Sequence, residues 1–163
     1  MTLSRKIVAA VEAAPAGGGS SPPSVVAAET GSHRLALALT DRGPVGLAFA
    51  SLSFEATGRT LDLATADLRA WGARLAARLT YLMEPLVVLE VDAEAGEAEL
   101  RSQNPTARAD RRSFYEVRLR RQGALQLHRV AFDDASRRRS TVPCQMTVEV
   151  LERLADDLVA SLG

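Results

Sequence analysis

Residues 115–129 read YEVRLRRQGALQLHR, two alternating runs of apolar residues joined by a polar loop that ends in glycine. Residues 35–49 read LALALTDRGPVGLAF and show the same layout earlier in the chain. Apolar residues at every second position are typical of strands that bury one face. A glycine at the third place of a three-residue loop suits a tight hairpin. Both stretches therefore predict an antiparallel β-hairpin.

The register of each hairpin follows from its side chains, because directly opposed residues in an antiparallel pair share one face of the sheet. Loops at residues 41–43 and 121–123 bring apolar residues opposite apolar residues, whereas a two-residue turn at residues 122–123 would not. The predicted pairs are Leu39 with Val45, Leu37 with Leu47, Leu119 with Leu125, and Val117 with Leu127.

Both hairpins are followed by the same kinds of element. The apolar positions change parity near residues 50–51 and 130–131, which predicts a β-bulge in each returning strand. A short third strand is then predicted at residues 59–63 and at residues 137–142.

Two amphipathic helices are predicted next, with Thr65 and Thr147 as their N-caps. Each helix has a stripe of apolar residues three or four positions apart, as expected for a helix that packs on a sheet. The stripes are Leu68, Trp71, Leu75 and Leu79 in the first helix, and Leu151, Leu154, Leu158 and Leu162 in the second.

These elements predict an α+β domain with a largely antiparallel sheet of about six to eight strands and two packed amphipathic helices. The domain is expected at residues 33–163, after a short N-terminal helix at residues 1–14. Residues 15–32 are rich in Gly, Ser and Pro, so we expect a flexible linker there.

The two βββα units, with a further hairpin predicted between them at residues 86–100, suggest an internal duplication as a hypothesis. The overall order of elements resembles that of type III secretion chaperones. A shared order of elements concerns the fold and carries no function.

Composition narrows the possible partners of the chain. Its 163 residues include 20 basic and 20 acidic residues, so no global field attracts nucleic acid or an anionic membrane. No apolar run is long enough to span a bilayer. Cys144 is the only cysteine, which excludes an intrachain disulfide and favours a reducing, cytoplasmic location.

The sequence shows no pattern of catalytic, metal-binding or cofactor-binding residues. The only histidines, His33 and His128, lie far apart, and no nucleotide-binding motif occurs. His128 should face Glu116 across the second hairpin, which we interpret as a weak surface ion pair. A lone cysteine is usually a small buried apolar residue, and we interpret Cys144 in this way.

Charge is unevenly distributed along the chain. Residues 84–100 contain six acidic residues and no basic residue, whereas residues 101–139 contain eleven arginines and four acidic residues. One interpretation is an anion-binding or nucleic-acid-binding surface. We favour the other, in which the acidic and basic hairpins lie side by side and neutralise each other. The candidate anion-binding residues are Arg118, Arg120, His128, Arg137, Arg138 and Arg139.

The outward face of the first hairpin lacks large or charged side chains. Alanine and glycine are poor strand residues, and a face made of them lets another surface approach closely. The candidate interface residues are Ala36, Ala38, Gly46, Ala48 and Ala50.

The leading hypothesis is a non-enzymatic interaction or accessory domain that acts through this sheet face, as a homodimer. One alternative is a small-ligand-binding protein or enzyme with an Arg/His-lined pocket for an anionic ligand. Another is weak nucleic-acid binding through the arginine-rich residues 101–139.

Overall fold

The computed structural model describes residues 1–15, 17–18, 22–103, 106–108 and 111–163. These residues form three helices and one antiparallel sheet, so the predicted α+β class is confirmed. The helices are α1 (Leu3–Ala13), α2 (Thr65–Arg78) and α3 (Val148–Leu162). The strands are β1 (Gly17–Gly18), β2 (Ser24–Glu29), β3 (His33–Arg42), β4 (Leu47–Ala56), β5 (Leu86–Asp92), β6 (Glu97–Ser102), β7 (Thr106–Arg108), β8 (Arg111–Arg120), β9 (Ala124–Asp133), β10 (Arg138–Val142) and β11 (Cys144–Met146).

Seven strands lie side by side in the order β1-β3-β4-β9-β8-β6-β5, which agrees with the predicted size of the sheet. The hairpins β3–β4 and β8–β9 meet at its centre, where β4 pairs with β9. The hypothesis that the two units arose by duplication stays a hypothesis. β2 lies beside β3, and β7 lies beside β8.

The segment from β10 to β11 fills a gap between two central strands. β4 and β9 pair only near residues 52–55 and 124–127, so the start of β4 diverges from the end of β9. β10 runs inward along β9, the chain turns at Pro143, and β11 runs outward along β4. This path buries Cys144 at the point where the two strands separate.

The second hairpin has the predicted register. Val117 opposes Leu127 and Leu119 opposes Leu125, and Gly123 has a φ of 83° at the end of the loop. The bulge predicted near residues 130–131 is wrong, because the β8–β9 ladder continues without a shift from Arg120 to Arg111. The parity of apolar residues changes there because the end of β9 is covered on both of its faces.

The first hairpin has a different turn, and its predicted pairs are wrong. Leu37 opposes Leu52 and Leu39 opposes Phe49, and the chain reverses at residues 43–46. Val45, predicted to pair in the core, is 80% exposed at this turn. The turn lies at residues 43–46 because the backbone of β11 contacts Gly46.

The backbone of β11 determines where the first hairpin turns. A Cβ on Gly46 would lie 2.6 Å from the carbonyl oxygen of Met146, so only glycine allows this approach. The bulge predicted at residues 50–51 is confirmed, since Ala50 and Ser51 together stand opposite Ala38.

Only one of the two predicted third strands exists. β10 follows the second hairpin as predicted, but residues 59–63 form no strand. The edge of β4 that such a strand would need is occupied by β9. Only one of the two predicted N-caps is correct. Thr147 caps α3, because its side chain accepts a hydrogen bond from the Val150 amide at 3.2 Å. The predicted cap at Thr65 is wrong, because Thr65 is already helical and Ala64 precedes α2.

All three helices pack on one face of the sheet. As predicted, the helical stripes form the core, with Trp71, Leu75, Leu79, Leu151, Leu154 and Leu158 fully buried. Contrary to our expectation, α1 belongs to this layer, because Leu3, Ile7 and Val11 are buried against the same core.

The expectation of a flexible linker at residues 15–32 is wrong for β2, which pairs with β3 along its whole length. Val26 and Ala28 are buried beneath α1, and their alternation with exposed residues is that of an edge strand. The folded unit therefore begins well before His33. Residues 16 and 19–21 of the expected linker lie outside the described residues.

Candidate functional site

The face of the sheet opposite the helices has two chemically different halves. Core residues and outward residues alternate along β2, β3 and β6, and the three helices pack on the core side. The half formed by β5, β6, β8 and β9 carries arginine, glutamate and aromatic side chains. The half formed by β2, β3 and β4 carries small ones. We call these halves the polar half and the small-residue half.

Glu116 is the centre of the polar half. Its carboxylate accepts hydrogen bonds from Arg101 at 3.0 Å and from Arg139, and His128 Nε2 lies 3.1 Å from Oε2. Only about 5% of Glu116 is exposed. It faces Arg101 of β6 and His128 of β9 across the two ladders, and β10 supplies Arg139.

The arginines decide the ionisation of this carboxylate. Burial by itself would raise the pKa of Glu116, but the hydrogen bonds and charges of Arg139 and Arg101 outweigh burial and hold the pKa below its usual value. Glu116 is therefore ionised at neutral pH and anchors two guanidinium groups. Glu116 faces His128 as predicted. The predicted weak surface ion pair is wrong in one respect, because the Glu116 carboxylate is buried.

Two phenylalanines lie beside this cluster and complete a cavity. The guanidinium of Arg101 lies 4.8 Å from the ring centre of Phe114, and that of Arg112 lies 5.2 Å from the ring centre of Phe132. These contacts are cation–π interactions. The cavity has a volume of about 310 Å³ and is lined by Arg101, Arg112, Phe114, Phe132 and Arg139.

The acidic and basic hairpins lie side by side, as we predicted. Glu97 opposes Arg120 across the β6–β8 ladder, with 3.6 Å between the charged atoms, and Glu99 opposes Arg118. Much of the positive charge of residues 101–139 is therefore balanced on the sheet.

The candidate anion-binding residues divide into three groups. His128 and Arg139 join the Glu116 cluster. Arg118 and Arg120 line a separate cavity of about 220 Å³ with Arg34. Arg137 and Arg138 are exposed at and just beyond the β9–β10 turn, away from both cavities.

The candidate interface residues also occupy different environments. Ala36, Ala38 and Ala50 lie half-buried on the small-residue half, and Ala48 is buried where that half meets β11. The need for glycine at position 46 is explained by its contact with Met146 of the same chain. β2 extends the small-residue half with Ala27 and with Val25, which is 76% exposed.

The helix side of the sheet contains a buried polar group. Arg129 lies 3.6 Å from Glu84 and stacks on Tyr115 at 4.5 Å. Cys144 is nearby, and burial raises the pKa of its thiol to about 12. The thiol is therefore protonated at neutral pH and is a poor nucleophile. The described residues contain no group of three or more potential metal ligands.

Sequence reasoning missed Arg101, Arg112, Phe114 and Phe132. A signal was present for two of them, because Arg112 and Phe114 have the same parity on β8 as Glu116 and must share its face. The sequence contained no sign that β6 and β10 would bring Arg101 and Arg139 to this face.

Comparisons with known proteins add no information on function. No protein-family model, curated protein or solved structure matches this chain. Among the described helices, none has the length and apolar character that crossing a membrane requires.

Proposed function

We propose that this protein is a non-enzymatic interaction domain that forms a homodimer through the small-residue half of its open sheet face. The proposal rests on the contrast between the polar half and the small-residue half of this face. The polar half has the charged side chains expected of an antiparallel sheet that faces water. The small-residue half has alanine, serine and an exposed Val25.

A face of this kind is suited to packing against a flat surface. Alanine stabilises a strand poorly by itself, so its repeated use on β2, β3 and β4 favours a contact that large side chains would block. Two sheets that pack face to face lie about 10 Å apart and bury their facing side chains.

A second copy of this chain fits the face better than a charged partner. The chain has a formal net charge of zero, so two copies do not repel each other. Arg34 and Glu55 oppose each other at the border of the small-residue half. In a two-fold arrangement each surface meets itself, and Arg34 of one copy can lie beside Glu55 of the other.

The size of the surface sets the expected affinity. The three strands have 6, 10 and 10 residues. With about 4.8 Å between strands and a rise of about 3.3 Å per residue, they cover a flat area of roughly 400 Å². Stable interfaces bury about 800 Å² on each partner. We therefore expect a concentration-dependent dimer with a Kd in the micromolar range rather than an obligate one.

Nucleic-acid binding and catalysis find little support in the polar half and the buried groups. Six of the eleven arginines at residues 101–139 form ion pairs with carboxylates, which weakens the case for nucleic-acid binding. Cys144 is buried and its thiol is protonated at neutral pH, which makes it a poor nucleophile, so we propose no catalytic step for it.

The test is the mass in solution as a function of concentration, measured by sedimentation equilibrium. The wild-type protein should shift from 17.4 kDa towards twice that mass as its concentration rises through the micromolar range. Ala38→Arg and Ala27→Arg should give folded monomers, because a charge buried in the interface has no partner there. Gln126→Arg, on the polar half, is the matched control and should still dimerise.

Two outcomes would contradict the proposal. One is a wild-type protein that stays monomeric at hundreds of micromolar. The other is a dimer that Ala27→Arg and Gln126→Arg weaken to the same extent. Ala27 is exposed on the edge strand, so its variant should fold even if Ala38→Arg does not.

A further inference from the structure

The arginine-lined cavity on the polar half has an ordered arrangement across four strands. Arg112, Phe132 and Arg139 form one row across β8, β9 and β10, since each opposes the next. Arg101 opposes Glu116 two rows further along, and Phe114 lies on the row between them. Guanidinium groups therefore stand at both ends of the cavity, and the aromatic rings lie between them.

The three arginines have N–H groups that do not donate to any carboxylate among the described residues. Their bonds to carboxylates within the described residues all run through Nη2, to Glu116, Glu99 and Asp134. The Nε atom of Arg101 is buried and has no acceptor among the described residues. A guanidinium has five N–H donors, and its planar fork matches the oxygens of a carboxylate or phosphate.

A buried carboxylate holds two of these groups in place before any ligand arrives. Glu116 lies beneath the cavity and is shared by Arg101 and Arg139, whereas Arg112 forms an exposed pair with Asp134 at 2.9 Å. Side chains fixed in this way lose little conformational freedom on binding.

From this geometry we infer that the cavity is a binding site for a small oxyanion, a carboxylate or phosphate, attached to a flat aromatic group. The oxyanion accepts hydrogen bonds from guanidinium N–H groups other than the Nη2 groups that bind the carboxylates. The aromatic group lies against Phe114 and Phe132. A volume of about 310 Å³ lies within the range of small-ligand pockets.

The expected affinity is modest. Glu99, Glu116 and Asp134 balance the formal charge of the three arginines, so binding depends on directional hydrogen bonds and ring contact rather than on net charge. We expect a Kd on the order of 0.1–1 mM for a minimal ligand, which corresponds to about −4 to −5.5 kcal/mol.

Calorimetric titration of the whole protein with phenyl phosphate, benzoate and inorganic phosphate tests the site. Phenyl phosphate, benzoate or both should bind saturably, and inorganic phosphate at least tenfold more weakly. The first two ligands distinguish a phosphate site from a carboxylate site. Arg139→Gln and Phe132→Leu should each weaken binding at least fivefold, whereas Arg120→Gln in the separate cavity should not change it.

Three results would overturn the inference. They are no saturable binding of either aromatic ligand, inorganic phosphate binding as tightly as phenyl phosphate, or Arg120→Gln weakening binding as much as Arg139→Gln. If circular dichroism shows that Arg139→Gln is unfolded, Arg112→Gln takes its place with the same expected loss. The site lies on the polar half, so its test does not depend on the proposed dimer.

Discussion

Replacing Ser161 with alanine removes the hydrogen-bond partner of a buried indole. Trp71 Nε1 on α2 donates to Ser161 Oγ on α3 at 3.1 Å, and both residues are fully buried. A buried donor left without an acceptor costs about 1–3 kcal/mol. We therefore expect Ser161→Ala to lower the free energy of unfolding by about 1–3 kcal/mol.

A double-mutant cycle shows whether this loss comes from the hydrogen bond. In a Trp71→Phe background the donor is already absent, so Ser161→Ala should cost about 1 kcal/mol less than in the wild type. Urea unfolding should be followed by far-UV circular dichroism, because Trp71 is the only tryptophan and its fluorescence is lost in two of the four proteins.

The exposed Ser140 on β10 provides the matched control. Ser140→Ala should change the free energy of unfolding by less than about 0.5 kcal/mol. Equal costs of Ser161→Ala in both backgrounds would refute the assigned role of the Trp71–Ser161 bond.

Two further predictions concern Glu116 and the N-terminal segment. Because the arginines lower the pKa of Glu116 in the folded state, its ionised form stabilises the protein fully above the unfolded pKa of about 4.5, and this contribution is lost as pH falls through the lower folded pKa. The difference in unfolding free energy between wild type and Glu116→Gln should therefore shrink between pH 6 and pH 3 in urea titrations, and a constant difference would argue against this linkage. Deleting residues 1–32 removes Leu3, Ile7, Val11 and Val26 from the core. Burial of each side chain stabilises the fold by about 1.5–3 kcal/mol, and the sum of the four is comparable with the whole stability of a domain. The fragment 33–163 should show no cooperative urea transition, and a transition like that of the whole chain would mean that α1 and β2 contribute little.

Several features of the fold could be predicted from the sequence because they depend on neighbours along the chain. The β8–β9 hairpin, the Thr147 cap and the buried stripes of α2 and α3 all follow from residue spacing within about twenty positions. The bulge at residues 50–51 was also predictable, because an apolar residue that changes parity must be matched by a change in the backbone.

Other features required the tertiary structure, because they depend on which strands become neighbours. The first hairpin turns at residues 43–46 because β11 approaches Gly46, and residues 59–63 form no strand because β9 occupies the edge of β4. β2 was missed because its short alternation follows a stretch of Gly, Ser and Pro, and α1 and β3 bury it.

The candidate site likewise depends partly on the local sequence and partly on the tertiary structure. Alternation along β8 determines that Arg112, Phe114 and Glu116 share one face of the sheet. Their convergence with Arg101 and Arg139 was decided only when β6 paired with β8 and β10 paired with β9. The physical reason is that side-chain periodicity specifies the face of a strand on which a residue lies, whereas the identity and register of the neighbouring strand come from burial of the whole core.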